Sequence, residues 1–206
     1  MVNHGHSCEG DHKHDNTPEM GLQYSLYEKI DTENLECLNE TNEGSGKTIF
    51  KPWEERLNFE NYVESDADEE LLFNIPFTGN IKLKGLIIIG GAEESHPAKL
   101  RLYKNRPHMT FDDTAVAPDQ EFELHRDETG TLEYPTKVVT FSSVHHLTIH
   151  IPGNFGSDST RVYYIGLRGE YTKGHKHGVT ICTYESAPNV SDHKADIVES
   201  VSKHVQ

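Results

Sequence analysis

Leu147-Thr148-Ile149-His150-Ile151 decides the fold. Three apolar side chains alternate with two polar ones, and in an extended chain successive side chains point to opposite faces. The apolar three therefore share one face of a half-buried strand. Similar short runs rich in Ile, Val, Leu, Tyr, Thr and Phe lie on both sides of it. They occupy residues 71–75, 82–89, 99–103, 121–124, 137–141, 162–167 and 179–184. Loops holding Gly, Pro, Asn or Asp separate most of them. Eight short strands without long helices between them predict an all-β fold, an antiparallel β-sandwich of the jelly-roll kind. No internal repeat is present.

Upstream, Leu22, Leu26, Ile30, Leu35 and Leu38 recur at helix-like intervals, and Asp31 or Thr32 offers a cap. A short N-terminal helical segment is expected there. Residues 1–20 hold many His, Asp, Gly and Glu and almost no bulky apolar side chain, so they predict a disordered tail. The polar residues 191–206 predict a flexible C-terminal tail with a weak helical pattern (Ile197, Val198, Val201, Val205). The single folded domain is expected across 21–190.

Composition narrows the function. The formal net charge is −15, from 34 acidic and 19 basic residues. So negative a surface repels phosphate backbones and anionic lipid, which argues against nucleic-acid or membrane docking and for a basic or mixed-charge protein partner. The longest apolar run, Leu86-Ile87-Ile88-Ile89, is strand-sized, and the N-terminus lacks the basic start and apolar stretch of a secretory signal. Cys8, Cys37 and Cys182 are odd in number and widely spaced, as free thiols in a reducing compartment are. A cytoplasmic protein, with a share in the nucleus, is expected.

Several motifs invite chemistry and fail on detail. Gly44-Ser45-Gly46-Lys47-Thr48 has the end of a phosphate-binding loop, but Thr41 stands where the first glycine belongs and no strand precedes it. A flexible surface loop is the better reading. Asp66, Asp68 and Glu70 have the spacing of a calcium loop, yet Leu71 replaces its glycine and Phe77 its final glutamate. They predict a capped, acidic turn. His146 and His150 share a strand face roughly 13 Å apart, too far for one ion. His175 and His177 flank Lys176 in an exposed loop. In the first tail, His4, His6, Cys8, His12 and His14 fall within eleven residues and match no closed zinc site, so at most weak, adventitious metal binding is expected. No GxSxG, HExxH, CxxC or strand-borne GxGxxG occurs. The chain reads as a non-enzyme that needs no cofactor.

Several blocks, in order, carry a family resemblance. They are Ile30-Asp31, Glu36-Cys37-Leu38-Asn39-Glu40, the acidic run Glu64-Ser65-Asp66-Ala67-Asp68-Glu69-Glu70-Leu71-Leu72, Ile75-Pro76-Phe77-Thr78-Gly79 and Lys82-Leu83-Lys84-Gly85. Leu102-Tyr103-Lys104-Asn105, Phe111-Asp112-Asp113 and Tyr164-Ile165-Gly166-Leu167-Arg168-Gly169 complete the set. Together they resemble the PITH domain. The Phe50-Lys51-Pro52-Trp53-Glu54-Glu55-Arg56 stretch and the His-rich start are similar to stand-alone members of that family. The resemblance implies a galactose-binding-like jelly roll and association with the proteasome's regulatory particle. It brings no disulfide reductase activity, because that belongs to a thioredoxin domain this chain does not have. The partner-binding residues expected are Lys51, Trp53 and Arg56 in one loop and Asp66, Asp68 and Glu70 in another. For Trp53 the alternative is that it closes the core. The competing functions are a sugar or metabolite site in the end loops around 106–113 and 154–159, or a regulatory protein acting through another complex.

Overall fold

The computed structural model describes residues 18–173, which fall within the unit Met1–Gly174. A short helix α1 (Pro18–Gln23) and a 3₁₀ turn (Ser25–Lys29) come first. Eight strands follow: β1 (Glu36–Leu38), β2 (Val63–Glu64), β3 (Leu71–Gly90), β4 (Lys99–Lys104), β5 (Gln120–Glu123), β6 (Glu133–Pro135), β7 (Val144–Ile151) and β8 (Arg161–Thr172). Every pairing among them is antiparallel, in the order β2-β8-β3-β7-β4-β5, with β1 and β6 also on β3.

One strand makes both layers. The runs at 71–75 and 82–89 are not separate strands but the two halves of β3. The first half pairs with β7 and the second with β8, with a register break between Pro76 and Ile81. Twenty residues would span about 66 Å if straight. Yet the Glu69 carbonyl beside one end accepts from Thr160 Oγ1 at 2.6 Å, and the Gly91 amide beside the other donates to the Arg161 carbonyl at 2.7 Å. Both ends of β3 thus meet consecutive residues, so the strand folds back on itself. Gly79 lies in the bend, where an added Cβ would stand 2.7 Å from the Tyr171 ring; only glycine fits. The two halves then face each other across a core that includes Leu71, Phe73, Ile75, Leu83, Leu86 and Ile88, joined by Leu147, Ile149 and Ile151 of β7. This is the antiparallel sandwich that the alternation predicts.

Two expectations need correction. Residues 137–141 form a turn, closed by the Phe141 amide on the Lys137 carbonyl at 3.0 Å, and β6 takes the pairing instead. Only Phe141 finds a place in the core, while Val139 is 91% exposed. The upstream periodicity is only partly helical. Ile30 is extended and bridges Phe77, Leu35 is buried between elements, Leu38 belongs to β1, and Leu22 is exposed. Asp31 bonds Asn34, pinning a bend rather than a helix start. The run at 179–184, with Cys182, lies outside the described residues, as do both tails.

Candidate functional site: an acidic cleft beside the first strand

β1 lies against β3 in the register Glu36↔Asn74, Cys37↔Phe73, Leu38↔Leu72. The chain then turns at Asn39, which adopts a left-handed conformation (φ 66°) that asparagine tolerates better than most side chains. Its side chain reaches the acidic turn at 65–70. Asn39 Nδ2 donates to Asp68 Oδ1 and to the Glu70 carbonyl, both at 2.7 Å, and Asn39 Oδ1 accepts from the Ala67 amide at 3.0 Å. One residue therefore pins the acidic turn to β1.

The next residue closes the glycine-rich segment. Ser45–Thr48 is a short helix, α2, rather than a loose loop. Glu40 accepts from the amides of Gly44 (2.5 Å) and Gly46 (2.6 Å) and from Ser45 Oγ (3.2 Å). An internal carboxylate thus fills the amide cradle that a phosphate-binding loop would offer to its ligand. Gly46 is required for space: a Cβ there would stand 2.5 Å from Cys37 Cβ. Burial pushes the Cys37 thiol up, and the charge of Glu40 adds to the shift, so it stays protonated and unreactive.

Between β1 and α2 opens a cleft of about 750 Å³. Glu33, Glu36, Glu40 and Glu43 line it, against Lys47 and His108. Lys47 Nζ donates to the Glu33 carbonyl at 3.1 Å, and His108 Nδ1 lies 3.3 Å from Glu36 Oε2. Glu40 is spent on α2. The carboxylates of Glu33 and Glu43 make no ion pair or hydrogen bond among the described residues. Asp66 and Asp68 are exposed on the adjoining turn, and Glu70 is half-buried. Burial raises the Glu70 carboxyl above its ordinary value, and Asp68 and Glu69 push it the same way.

Lys51, Trp53 and Arg56 lie elsewhere and are buried. Trp53, 5% exposed, stacks on Tyr24 with ring centroids 4.9 Å apart and meets Tyr164 edge-on at 6.3 Å. The Arg56 guanidinium sits 4.1 Å from the centre of the indole and donates to the Trp53 carbonyl at 3.2 Å. Lys51 Nζ donates to the Asn58 carbonyl at 2.6 Å. This loop is an aromatic plug for the second half of β3, where Ile87 and Ile89 complete the cluster. Its side chains are buried rather than presented as surface anchors, and for Trp53 the core-closing alternative is the one that the packing supports.

A PITH domain model matches residues 16–188 of the sequence. The chain belongs to the PITH domain family. It is 61% identical over 209 residues to PITH domain-containing protein GA19395 of Drosophila pseudoobscura pseudoobscura, covering 98% of this chain and 99% of that one. It is 58% identical over 199 residues to PITH domain-containing protein 1 of Homo sapiens, covering 94% of each. Among solved structures, the CBM32-1 and CBM32-2 domains from Clostridium perfringens ZmpB, in complex with GalNAc, match with a TM-score of 0.51. That match is 9% identical and covers 75% of this chain and 39% of that one. The likeness is one of fold.

In this PITH domain the end loop at 154–159 is held together by Asn154. Its Nδ2 donates to the carbonyls of Ser157 and Ser159, and its Oδ1 accepts from the amides of Gly156 and Ser157. The loop at 106–113 is strapped to the sheet, with Asn74 bonded to both the amide and the carbonyl of Met109. No group of three or more potential metal ligands occurs among the described residues. His4, His6, Cys8, His12 and His14 lie outside them. What sequence reading missed is the joining of the 33–43 acids to the 65–70 acids. No local signal marked Asn39 for this, since Asn34 and Asn42 stand in the same acidic block.

Proposed function

We propose that this PITH domain is a non-catalytic protein-interaction module whose acidic cleft and neighbouring turn receive a basic segment of a partner. The unpaired carboxylates of Glu33 and Glu43 in that cleft, with Asp66 and Asp68 exposed on the turn that Asn39 ties to β1, carry the reading. A preformed negative surface steers and orients a positively charged partner, and a rigid turn loses little entropy on docking. The module works in the cytoplasm and nucleus. Its partner assembly, on the family resemblance, is the proteasome's regulatory particle. The residues that act are Glu33, Glu43, Asp66 and Asp68, with Glu70 fixing the turn. Lys51, Trp53 and Arg56 maintain the fold.

The test is recovery of regulatory particle from cell extract on the immobilised full chain, comparing the parent with a Glu33→Lys/Glu43→Lys/Asp66→Lys variant. All three positions are exposed or line an open cleft, so the fold should survive, as thermal unfolding would verify. Recovery is expected to fall at least about tenfold, the consequence of replacing attraction by repulsion at several positions. Equal recovery on both proteins removes the proposal.

A further inference from the structure

A second pocket lies where the sandwich ends. The backbone at Gly90 and Ala92, the rings of Phe59 and Tyr163, and the Glu128 carboxylate enclose about 210 Å³. Phe59 is 47% exposed, and its ring meets Tyr163 edge-on with centroids 4.9 Å apart. Tyr62 supports Tyr163 in turn at 5.8 Å. The aromatic pair is thus fixed in position while one ring remains open to a ligand.

Size and charge say what fits. Whole small molecules occupy sites of about 300–1,000 Å³, so this pocket suits one side chain. Its walls are apolar and aromatic, and Glu128 supplies a carboxylate that makes no ion pair among the described residues. Glu60, Glu93 and Glu94, next in sequence to the lining residues Phe59 and Ala92, are exposed and also unpaired among the described residues. Two cations are near. Arg161 lies over Tyr62 at 4.7 Å and is bound to Glu64 at 2.8 Å; Arg126 lies over Phe155 at 4.8 Å. The first is neutralised by its partner and the second is engaged by another ring.

We propose that this pocket receives a lysine side chain of a partner protein. Its methylene stem packs against the joined rings of Phe59 and Tyr163, and its ammonium reaches Glu128 beside the open aromatic face. Amphipathic side chains bury their stems in this way, and a cation over a ring gains further attraction. The pocket shares no lining residue with the acidic cleft. Failure of either one therefore leaves the other standing.

The experiment is a nuclear magnetic resonance titration of the ¹⁵N-labelled full chain with Nα-acetyl-lysine amide, set against Nα-acetyl-norleucine amide, which keeps the stem and lacks the charge. Saturable shifts are expected at the amides of Gly90, Ala92 and Tyr163 with the lysine compound and not with the norleucine compound. Glu128→Gln and Phe59→Ala each weaken binding by about two- to fivefold, the size of one exposed ion-pair or cation–π contact. Both sites are exposed, and an unchanged melting temperature will show that the fold is intact. No response, equal response to the two compounds, or an unaltered Glu128→Gln titration overturns the proposal.

Discussion

Trp53 shows how a single residue changes meaning once its neighbours are known. In the sequence it stands among Pro52, Glu54, Glu55 and Arg56, a polar setting that suits an exposed anchor. In the fold Tyr24, far upstream, and Tyr164, more than a hundred residues downstream, close around it. Removing so large a buried side chain leaves a cavity, and Trp53→Ala is expected to cost about 3–5 kcal/mol of stability in urea unfolding. A cost under about 1 kcal/mol would mean that the plug is not packed as described. Any loss of partner binding in that variant consequently reports on folding. Arg56 has no carboxylate among its described partners, so its charge rests on the indole face and the Trp53 carbonyl. Asn39 is the complementary case: a polar residue whose side-chain amide organises a distant acidic turn.

Strand β7 and its cover form the element with a built-in pH response. Leu147, Ile149 and Ile151 face the core, which puts His146, Thr148 and His150 on the other side. That side is also buried, because the connection from β4 to β5 folds across it. Thr148 Oγ1 donates to the Arg106 carbonyl at 3.1 Å, and the edge of Phe111 meets the His150 ring at 6.2 Å. Burial pulls both imidazoles down to about 4; His108 and His145 add to the effect at His146, and Arg101 adds to it at His150. Glu36 opposes it at His146, and Glu70 Oε2 lies 3.5 Å from His150 Nε2. Burial likewise lowers His96, whose Nε2 accepts from the Asp127 amide. A histidine whose folded pKa lies below its unfolded value near 6.5 binds a proton in the unfolded chain first. Stability contributed by the neutral form is therefore intact above about pH 6.5 and is lost as pH falls toward 4, by roughly 3 kcal/mol each for His146 and His150. Urea midpoints measured from pH 7 to 4.5 are expected to fall, and His150→Leu should flatten that fall. An unchanged slope in the variant would place the titration elsewhere.

At the scale of the whole molecule, charge and topology act together. A net charge of −15 sets a field that any partner meets, and the fold gathers part of it at the cleft. Antiparallel pairing of β1 with the start of β3 brings the 65–70 turn beside β1, and Asn39 locks the two, so acids far apart in the chain lie on adjoining segments. Exposed charges are screened beyond about 8 Å at physiological ionic strength. Binding of the partner at the cleft is expected to weaken about tenfold or more as salt rises from 50 to 500 mM, mainly through slower association. Surface plasmon resonance at several salt concentrations measures this, and a flat response would exclude a charge-led interface.

The sequence by itself determined the class of fold and the sign of the surface. Alternation such as that at 147–151 reports which side chains need burial, and this needs no knowledge of their partners. The same local reading left Trp53 open between anchor and core, and it failed at 137–141 and across the two halves of β3. Burial of an indole, occupancy of a turn and bending of a strand depend on residues tens to a hundred positions away. Only the tertiary structure decided that Glu40 would satisfy the Gly44 and Gly46 amides, that Lys51 and Arg56 would be buried, and that two acidic blocks would meet. Each of these outcomes is a contact between distant segments, and such contacts are fixed by packing rather than by periodicity.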